Sequence, residues 1–96
     1  MIEIMKTDVF AKWLDSLRDI RARARILVKI ERLAAGNPGD VKPVAEGVAE
    51  LRIDYGPGYR VYFIKRGHEL VILLTGGDKS TQDNDIKTAL HLARNL

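Results

Sequence analysis

Hydrophobic and polar residues alternate along two segments that flank Gly56-Pro57-Gly58. This alternation, over residues 50–55 and 59–64, has the period of two that predicts β-strands. Glycine reaches positive φ values and proline fixes φ, so the three residues between the segments suit a tight reversal. The pattern therefore predicts a β-hairpin near the middle of the chain.

The same alternation assigns the side chains of the hairpin to two faces of a sheet. Arg52, Arg60 and Tyr62 fall on one face, and two guanidinium groups beside an aromatic ring suit a phosphodiester with a neighbouring base. The alternative is that the arginines are cross-strand partners of Glu50 and Asp54 on a solvated face. The other face is expected to pack on the core, with Leu51, Ile53, Tyr55, Tyr59, Val61 and Phe63.

Apolar residues at 3.6-residue spacing predict two helices before the hairpin. The first covers residues 9–17, with Thr7 or Asp8 available as a cap. The second begins around residues 18–20 and ends near Ala35, before the stop signal Gly36-Asn-Pro-Gly39. The expected buried residues of the first helix are Phe10, Trp13, Leu14 and Leu17.

The second predicted helix has one apolar side and one basic side. Its expected buried arc is formed by Ile26, Leu27, Ile30, Leu33 and Ala34. A basic stripe on the opposite side can rest on structured RNA or form an ordinary solvated surface. The stripe consists of Arg21, Arg25, Lys29 and Arg32.

The remaining segments complete an α+β pattern. Residues 2–5 are predicted to form a first strand, and residues 40–48 an irregular connection or short edge strand that brings Lys42 near the polar face. Residues 70–74 are continuously apolar, which is typical of a central strand covered on both faces. A final helix follows, with Ser80 or Thr81 as its cap and with Ile86, Ala89, Leu90 and Ala93 on its apolar side.

Composition limits the possible classes of protein. The chain has 96 residues, 46% of them hydrophobic and 30% charged, which predicts a single globular domain. It has no cysteine, so disulfides and thiolate metal sites are excluded, and its N-terminal segment lacks the features of a signal peptide. We expect a cytoplasmic protein that does not enter a membrane. The formal net charge of +3 permits contact with nucleic acid without requiring it.

Several common chemistries do not fit. Gly76-Gly-Asp-Lys-Ser80 lacks the glycine spacing of a phosphate-binding loop, although Lys79 is expected where a strand ends beside the amides of a helix start. His68 lies in a predicted turn and His91 on a polar helix face, and the acidic residues lack ligand spacing. The sequence therefore predicts neither a metal nor another cofactor.

Two segments carry a resemblance to a known family. Glu50-Leu-Arg-Ile-Asp-Tyr-Gly-Pro-Gly-Tyr-Arg-Val-Tyr-Phe63 and Leu74-Thr-Gly-Gly-Asp-Lys-Ser-Thr-Gln-Asp83 resemble the HigB-like addiction-module killer proteins of the RelE/ParE toxin superfamily. The resemblance extends over essentially the whole chain. It implies an antiparallel sheet with two N-terminal helices on one face, and a concave basic face partly edged by the C-terminal helix.

The resemblance also implies a function. RelE and HigB toxins are metal-independent endoribonucleases that cut mRNA in the ribosomal A site, and each is encoded beside an antitoxin. The implied partners are the ribosome with its mRNA, a helix-turn-helix antitoxin and, through that antitoxin, operator DNA. The implied alternatives are a ParE-like inhibitor of DNA gyrase and a family member that only binds its antitoxin.

Residue by residue, the resemblance makes Arg60 the phosphate-stabilising arginine and Lys79 the second basic group. Arg52 would clamp phosphate, and Tyr62 would stack on a base. The proton-transfer Tyr or His of RelE relatives is replaced here by Gln82-Asp-Asn-Asp85. Asp83 or Asp85 can take that role, or each can serve as a helix cap. The further candidates for contact with RNA are Lys42, Arg21 and Arg25.

Overall fold

The computed structural model describes residues 2–96, which form one five-stranded sheet and three α-helices. The strands are β1 (Glu3–Lys6), β2 (Val41–Ala45), β3 (Val48–Ile53), β4 (Tyr59–Arg66) and β5 (Leu70–Asp78). The helices are α1 (Asp8–Ser16), α2 (Ile20–Ala34) and α3 (Gln82–Arg94), and a 3₁₀ turn at Lys79–Thr81 precedes α3. The predicted α+β class is confirmed.

The sheet is mixed rather than wholly antiparallel. Its strand order is β1-β5-β4-β3-β2, and β1 runs parallel to β5, whereas the other neighbours are antiparallel. A parallel pair needs a long connection, and the two N-terminal helices are part of the segment that provides it. The expectation of an antiparallel sheet was therefore wrong for its first strand.

The predicted hairpin and its two faces are confirmed for β3 and β4. Leu51 pairs with Val61, and Arg52 lies directly opposite Arg60. The strand β3 ends at Ile53, before the predicted end at Tyr55, because the reversal begins earlier. The register therefore places both arginines on one face and the apolar residues on the other.

The helices α1 and α2 cover the apolar face. Thr7 caps α1 by accepting a hydrogen bond from the backbone of Phe10 at 3.1 Å, and Asp19 caps α2. Leu27 was predicted to be buried but is 44% exposed. The side of α2 that contacts the sheet is formed by Ala22, Ile26, Ile30 and Leu33, and Leu27 lies beyond its edge. The main core contains Phe10, Leu14, Ile26, Ile30, Leu33, Leu51, Ile53, Val61, Phe63, Val71 and Leu73.

The helix α3 covers the opposite face more extensively than predicted. Ala89 of α3 is fully buried in a second apolar cluster with Val48, Tyr62 and Leu74 of the sheet. Arg94, near the end of α3, donates to Glu46 in the turn between β2 and β3. The predicted cover of residues 70–74 on both faces is thereby confirmed, and α3 covers more of the face that the resemblance described as partly edged by it, because apolar residues of β3, β4 and β5 need cover on that side.

Gly76 and Gly77 lie where helices approach β5 from both sides. A Cβ atom on Gly76 would come within 2.2 Å of the Trp13 ring in α1. A Cβ atom on Gly77 would come within 1.8 Å of an Asp85 carboxylate oxygen in α3. The two glycines therefore serve close packing rather than phosphate binding.

No helix within residues 2–96 combines the length and the apolar character needed to cross a membrane.

Gly76→Ala should lower the free energy of unfolding by roughly 1–3 kcal/mol, because its methyl group overlaps the Trp13 ring. Urea unfolding measures the loss. Gly67→Ala is the control, since its methyl group meets no atom within 4 Å and costs about 1 kcal/mol through its positive φ alone. Replacing Trp13 by Leu in the Gly76→Ala background should recover part of the loss, and an unchanged deficit would contradict this explanation.

Candidate functional site

The three basic residues predicted to act together line one depression at an end of the sheet. Arg52 comes from β3, Arg60 from β4, and Lys79 from the turn that follows β5. The depression has a volume of about 290 Å³. Two carboxylates, Asp40 and Asp54, line it as well, together with Ile53, Gly58 and Tyr59.

A buried carboxylate holds the two arginines in place. Glu50 is 3% exposed and accepts a hydrogen bond from Arg60 Nε at 2.9 Å and one from Arg52 Nε at 3.4 Å. Arg60 Nη1 donates to the carbonyl of Gly58 at 2.9 Å. Because two of its nitrogens are bound to the protein, Arg60 has a fixed orientation at the wall of the depression. The alternative interpretation, in which the arginines pair with Glu50 and Asp54 on a solvated face, is confirmed for Glu50, but the pairs lie on a covered face and neither arginine forms a described ion pair with Asp54.

The first turn of α3 is tied to the same carboxylate. Gln82 Nε2 donates to Glu50 Oε1 at 2.9 Å. Gln82 begins the segment that the sequence resemblance aligned with a proton-transfer residue, and in the structure its side chain completes the set of groups around Glu50. The position of α3 and the orientation of the arginines are therefore coupled through one side chain.

Charge in the depression is balanced. Arg52, Arg60 and Lys79 supply three positive charges, and Asp40, Asp54 and the underlying Glu50 supply three negative ones. An anion bound here would thus depend on the placement of particular donors more than on a net positive field.

Tyr62 does not reach the surface. Its side chain has no exposed area, and no described residue forms a hydrogen bond with its hydroxyl. Burial raises the pKa of this phenol, and the negative charge of Glu50 raises it further. The predicted stacking of Tyr62 on a base was wrong for this arrangement, because the ring packs beneath α3.

Lys79 is presented by a capped turn. The Asp78 carboxylate accepts a hydrogen bond from the Ser80 hydroxyl at 2.5 Å and one from the Ser80 backbone at 2.8 Å, and these bonds hold the pKa of Asp78 below its usual value. Asp78 and Thr81 form a capping box around the 3₁₀ turn. Thr81 is the N-cap residue of α3, which confirms the predicted start of that helix, but its side chain makes no capping hydrogen bond there, and the capping carboxylate of the preceding turn is Asp78. Lys79 itself is exposed.

The two acidic candidates in α3 differ in their surroundings. Asp83 is exposed, whereas Asp85 is partly buried against Gly77 and accepts a hydrogen bond from Thr81 Oγ1. Burial raises the pKa of Asp85, and the nearby charge of Asp78 adds to that shift. Neither carboxylate lines the depression around Arg60.

The other predicted RNA contacts lie outside the depression. Lys42 is exposed on the edge strand β2, opposite Glu50 in the register. Arg21 and Arg25 line a separate groove of about 500 Å³ between α2 and the end of β3. The guanidinium of Arg25 lies 4.7 Å from the centre of the Tyr55 ring. The predicted site is therefore divided between two surfaces.

Residues 2–96 contain no group of three or more His, Cys, Asp or Glu side chains placed to hold a metal ion. His91 is exposed on α3, as its position in the sequence predicted.

Asp40 is the lining residue that sequence reasoning missed. It lies twelve positions before Arg52, in a segment with no regular pattern. A hydrogen bond from the backbone of Arg52 to the carbonyl of Asp40, at 2.9 Å, brings the two together. Only the pairing of β2 with β3 shows this proximity, and the sequence carries no local signal for it.

An α+β fold with two fixed guanidinium groups and one lysine at a depression of balanced charge defines a small protein with a candidate anion-binding site. The family described as phage derived protein Gp49-like (DUF891) matches residues 12–95. A protein of Haemophilus influenzae, described as uncharacterized, is 55% identical over 95 residues, which cover 99% of this chain and 96% of that protein. The chain belongs to the Gp49-like family, a toxin-like family related to addiction modules.

Glu50→Ala should lower the free energy of unfolding by about 3–5 kcal/mol, because it leaves the largely buried Arg60 guanidinium without its partner. Glu50→Gln keeps the size and one acceptor, so a smaller loss is expected. Urea unfolding measures both variants. Glu46→Gln removes an exposed partner of Arg94 and serves as the control with little change. Equal stability of Glu50→Ala and the control would contradict the anchoring role.

Asp85→Asn should gain stability relative to the wild type as the pH rises. The folded-state pKa of Asp85 is raised by burial, so its ionisation disfavours the folded state. In the wild type, protonated Asp85 contributes stability that is fully present below the ordinary aspartate pKa. That contribution is lost as the pH rises through the raised pKa of the folded state. Unfolding measured in urea from pH 3 to 7 gives the difference between the two proteins, and a constant difference would contradict this assignment.

Proposed function

We propose that this protein is the toxin of a type II toxin-antitoxin system and acts as a ribosome-dependent mRNA endoribonuclease of the RelE/HigB class. The observation that carries the proposal is the convergence of Arg52, Arg60 and Lys79 on one depression. The RelE-like fold, with two N-terminal helices on one face of the sheet, is part of the same proposal. Membership of a toxin-like family supports it.

The proposed reaction is attack of a ribose 2′-OH on the adjacent phosphorus. It needs removal of the 2′ proton, positive groups against the phosphorane, and a proton for the 5′ leaving oxygen. Arg60, fixed by Glu50, stabilises the phosphorane charge, and Arg52 holds the phosphate. Lys79 is the exposed ammonium that protonates the leaving oxygen. Asp40 and Asp54 are the carboxylates in the depression that are available to accept the 2′ proton.

Dependence on the ribosome follows from the balanced charge of the depression. A site with little net positive charge binds free RNA weakly, since the sequence-independent part of RNA affinity comes from unbalanced cations. A ribosome that holds the mRNA in a fixed geometry supplies orientation, which can account for much of a rate enhancement. We therefore expect cleavage on programmed ribosomes and little cleavage of free RNA.

The proposed partner is an antitoxin encoded beside this protein, and the toxin-like family supports that partner. We propose that it is a helix-turn-helix protein that carries the complex to operator DNA. The proposed location is the cytoplasm, where ribosomes and such operators are found.

A second candidate is a ParE-like inhibitor of DNA gyrase. Both arginines are already bound to Glu50, and this pairing favours a surface that binds a partner without cutting RNA. Inhibition of supercoiling at stoichiometric amounts, without ribosomal cleavage, would replace the first proposal. If neither activity is found while the antitoxin still binds, the protein is a family member without toxicity.

The deciding experiment maps mRNA 5′ ends by primer extension on programmed ribosomes. Lys79→Ala is the cleanest variant, because Lys79 is exposed and its loss should leave the fold intact. Removal of a charge-stabilising group lowers a rate by roughly 10²- to 10³-fold, which is the loss expected for Arg60→Ala. Removal of a general acid lowers a rate by roughly 10²- to 10⁴-fold, which is the loss expected for Lys79→Ala. Lys65 is an exposed lysine on β4 and serves as the control, so the Lys65→Ala variant should cut as fast as the wild type.

Equal cleavage by the wild type and both site variants would overturn the assignment of the site. Absence of A-site cleavage by the folded wild type would overturn the endoribonuclease proposal. Thermal unfolding of Arg60→Ala must accompany its activity measurement, because the substitution leaves the buried Glu50 without its closest cation.

A further inference from the structure

The helix α2 has a second apolar side that nothing in residues 2–96 covers. Ile20 is 79% exposed, Leu27 44% and Val28 43%, and Ala24 between them is exposed as well. These four residues are separated by three, four or one positions and so lie on one side of the helix. The core side of the same helix is formed by other residues, namely Ala22, Ile26, Ile30 and Leu33.

A cationic stripe runs beside this apolar stripe. Arg21, Arg25, Lys29 and Arg32 follow one another at helical spacing over about 17 Å of helix. All four line the groove of about 500 Å³ between α2 and β3, where Ala24, Val28 and Ile53 provide apolar surface. The exposed surface of α2 is therefore amphipathic, with aliphatic residues on one side and cations along the other.

An acidic amphipathic helix matches this surface in both respects. Its apolar side would cover Ile20, Ala24, Leu27 and Val28, and its carboxylates would meet the four cations. A helix laid in a groove by residues at such spacing is a recurrent mode of recognition. Glu31 lies on the same side as the apolar stripe one turn further on, so the apolar contact is confined to the first half of α2.

Two other occupants fit less well. RNA would gain from the cations, but the exposed stripe is aliphatic and offers no ring for base stacking, and Arg25 already covers the Tyr55 ring. A second copy of this chain would bring the same four cations close to one another, which opposes self-association through this surface.

We propose that the exposed side of α2 is the docking surface for an acidic amphipathic helix of the antitoxin. The identity of the partner rests on the proposed function, whereas the surface itself rests on the exposed residues of α2. The docked helix would lie beside the depression that contains Arg60, since Ile53 and Asp54 line both the groove and the depression.

The test uses the full chain and the full-length antitoxin encoded beside it, with affinity measured by isothermal titration calorimetry. Leu27→Gln combined with Val28→Gln should weaken binding at least tenfold. Arg25→Glu combined with Lys29→Glu should weaken it by a similar factor or more, and raised salt should weaken wild-type binding. Val9 is an exposed apolar residue of α1, so Val9→Gln is the matched control and should bind the antitoxin with the affinity of the wild type.

The outcomes separate this inference from the proposed function. Unchanged antitoxin affinity in both double variants would overturn the docking surface, while A-site cleavage would still support the toxin proposal. Loss of ribosomal cleavage by the Arg25→Glu/Lys29→Glu variant with unchanged antitoxin affinity would instead assign the surface to RNA. If the wild type self-associates and Leu27→Gln abolishes that association, the surface of α2 is assigned to contact with a second copy of the chain. If the wild type does not bind the neighbouring protein at all, both the proposed partner and this surface are overturned.

Discussion

The hydrogen bond between Glu50 and Arg60 joins the parts of this molecule that matter for its candidate site. It lies between β3 and β4, beneath the first turn of α3, and it is almost wholly shielded from water. A buried pair of this kind adds little net stability, but loss of either partner is costly, because the other charge remains buried. The sheet, the C-terminal helix and the orientation of the cationic groups therefore depend on one carboxylate that is also bound by Arg52 and Gln82.

The sequence predicted those elements that follow from a local period. Alternation around Gly56-Pro57-Gly58 located the hairpin and put Arg52 and Arg60 on one face, and the 3.6-residue spacing located all three helices. The prediction from the sequence failed where an apolar residue can either pack on the sheet or face outward. Leu27 fits the core period of α2 and yet faces outward, because side chains one position away already fill the contact with the sheet.

The candidate site was predictable only in part for the same reason. Face parity and the family resemblance brought Arg52, Arg60 and Lys79 together, and the structure brings all three to one depression. Whether that face was open depended on where α3 packs, which is a long-range property without a local signal. Burial of Tyr62, the position of Asp40 and the division of the basic residues between two surfaces all follow from such long-range contacts.

The parallel pairing of β1 with β5 has a consequence for the order in which the protein can be completed during translation. β1 leaves the ribosome before the other described strands, but β5, with which it pairs, is made after the whole hairpin. Contacts between distant segments form late, and surface that awaits its partner is exposed to aggregation and proteolysis. The nascent chain consequently has neither the sheet that supports α1 nor the lysine at the end of β5 until β5 itself has been synthesised. A truncated product would carry no assembled site.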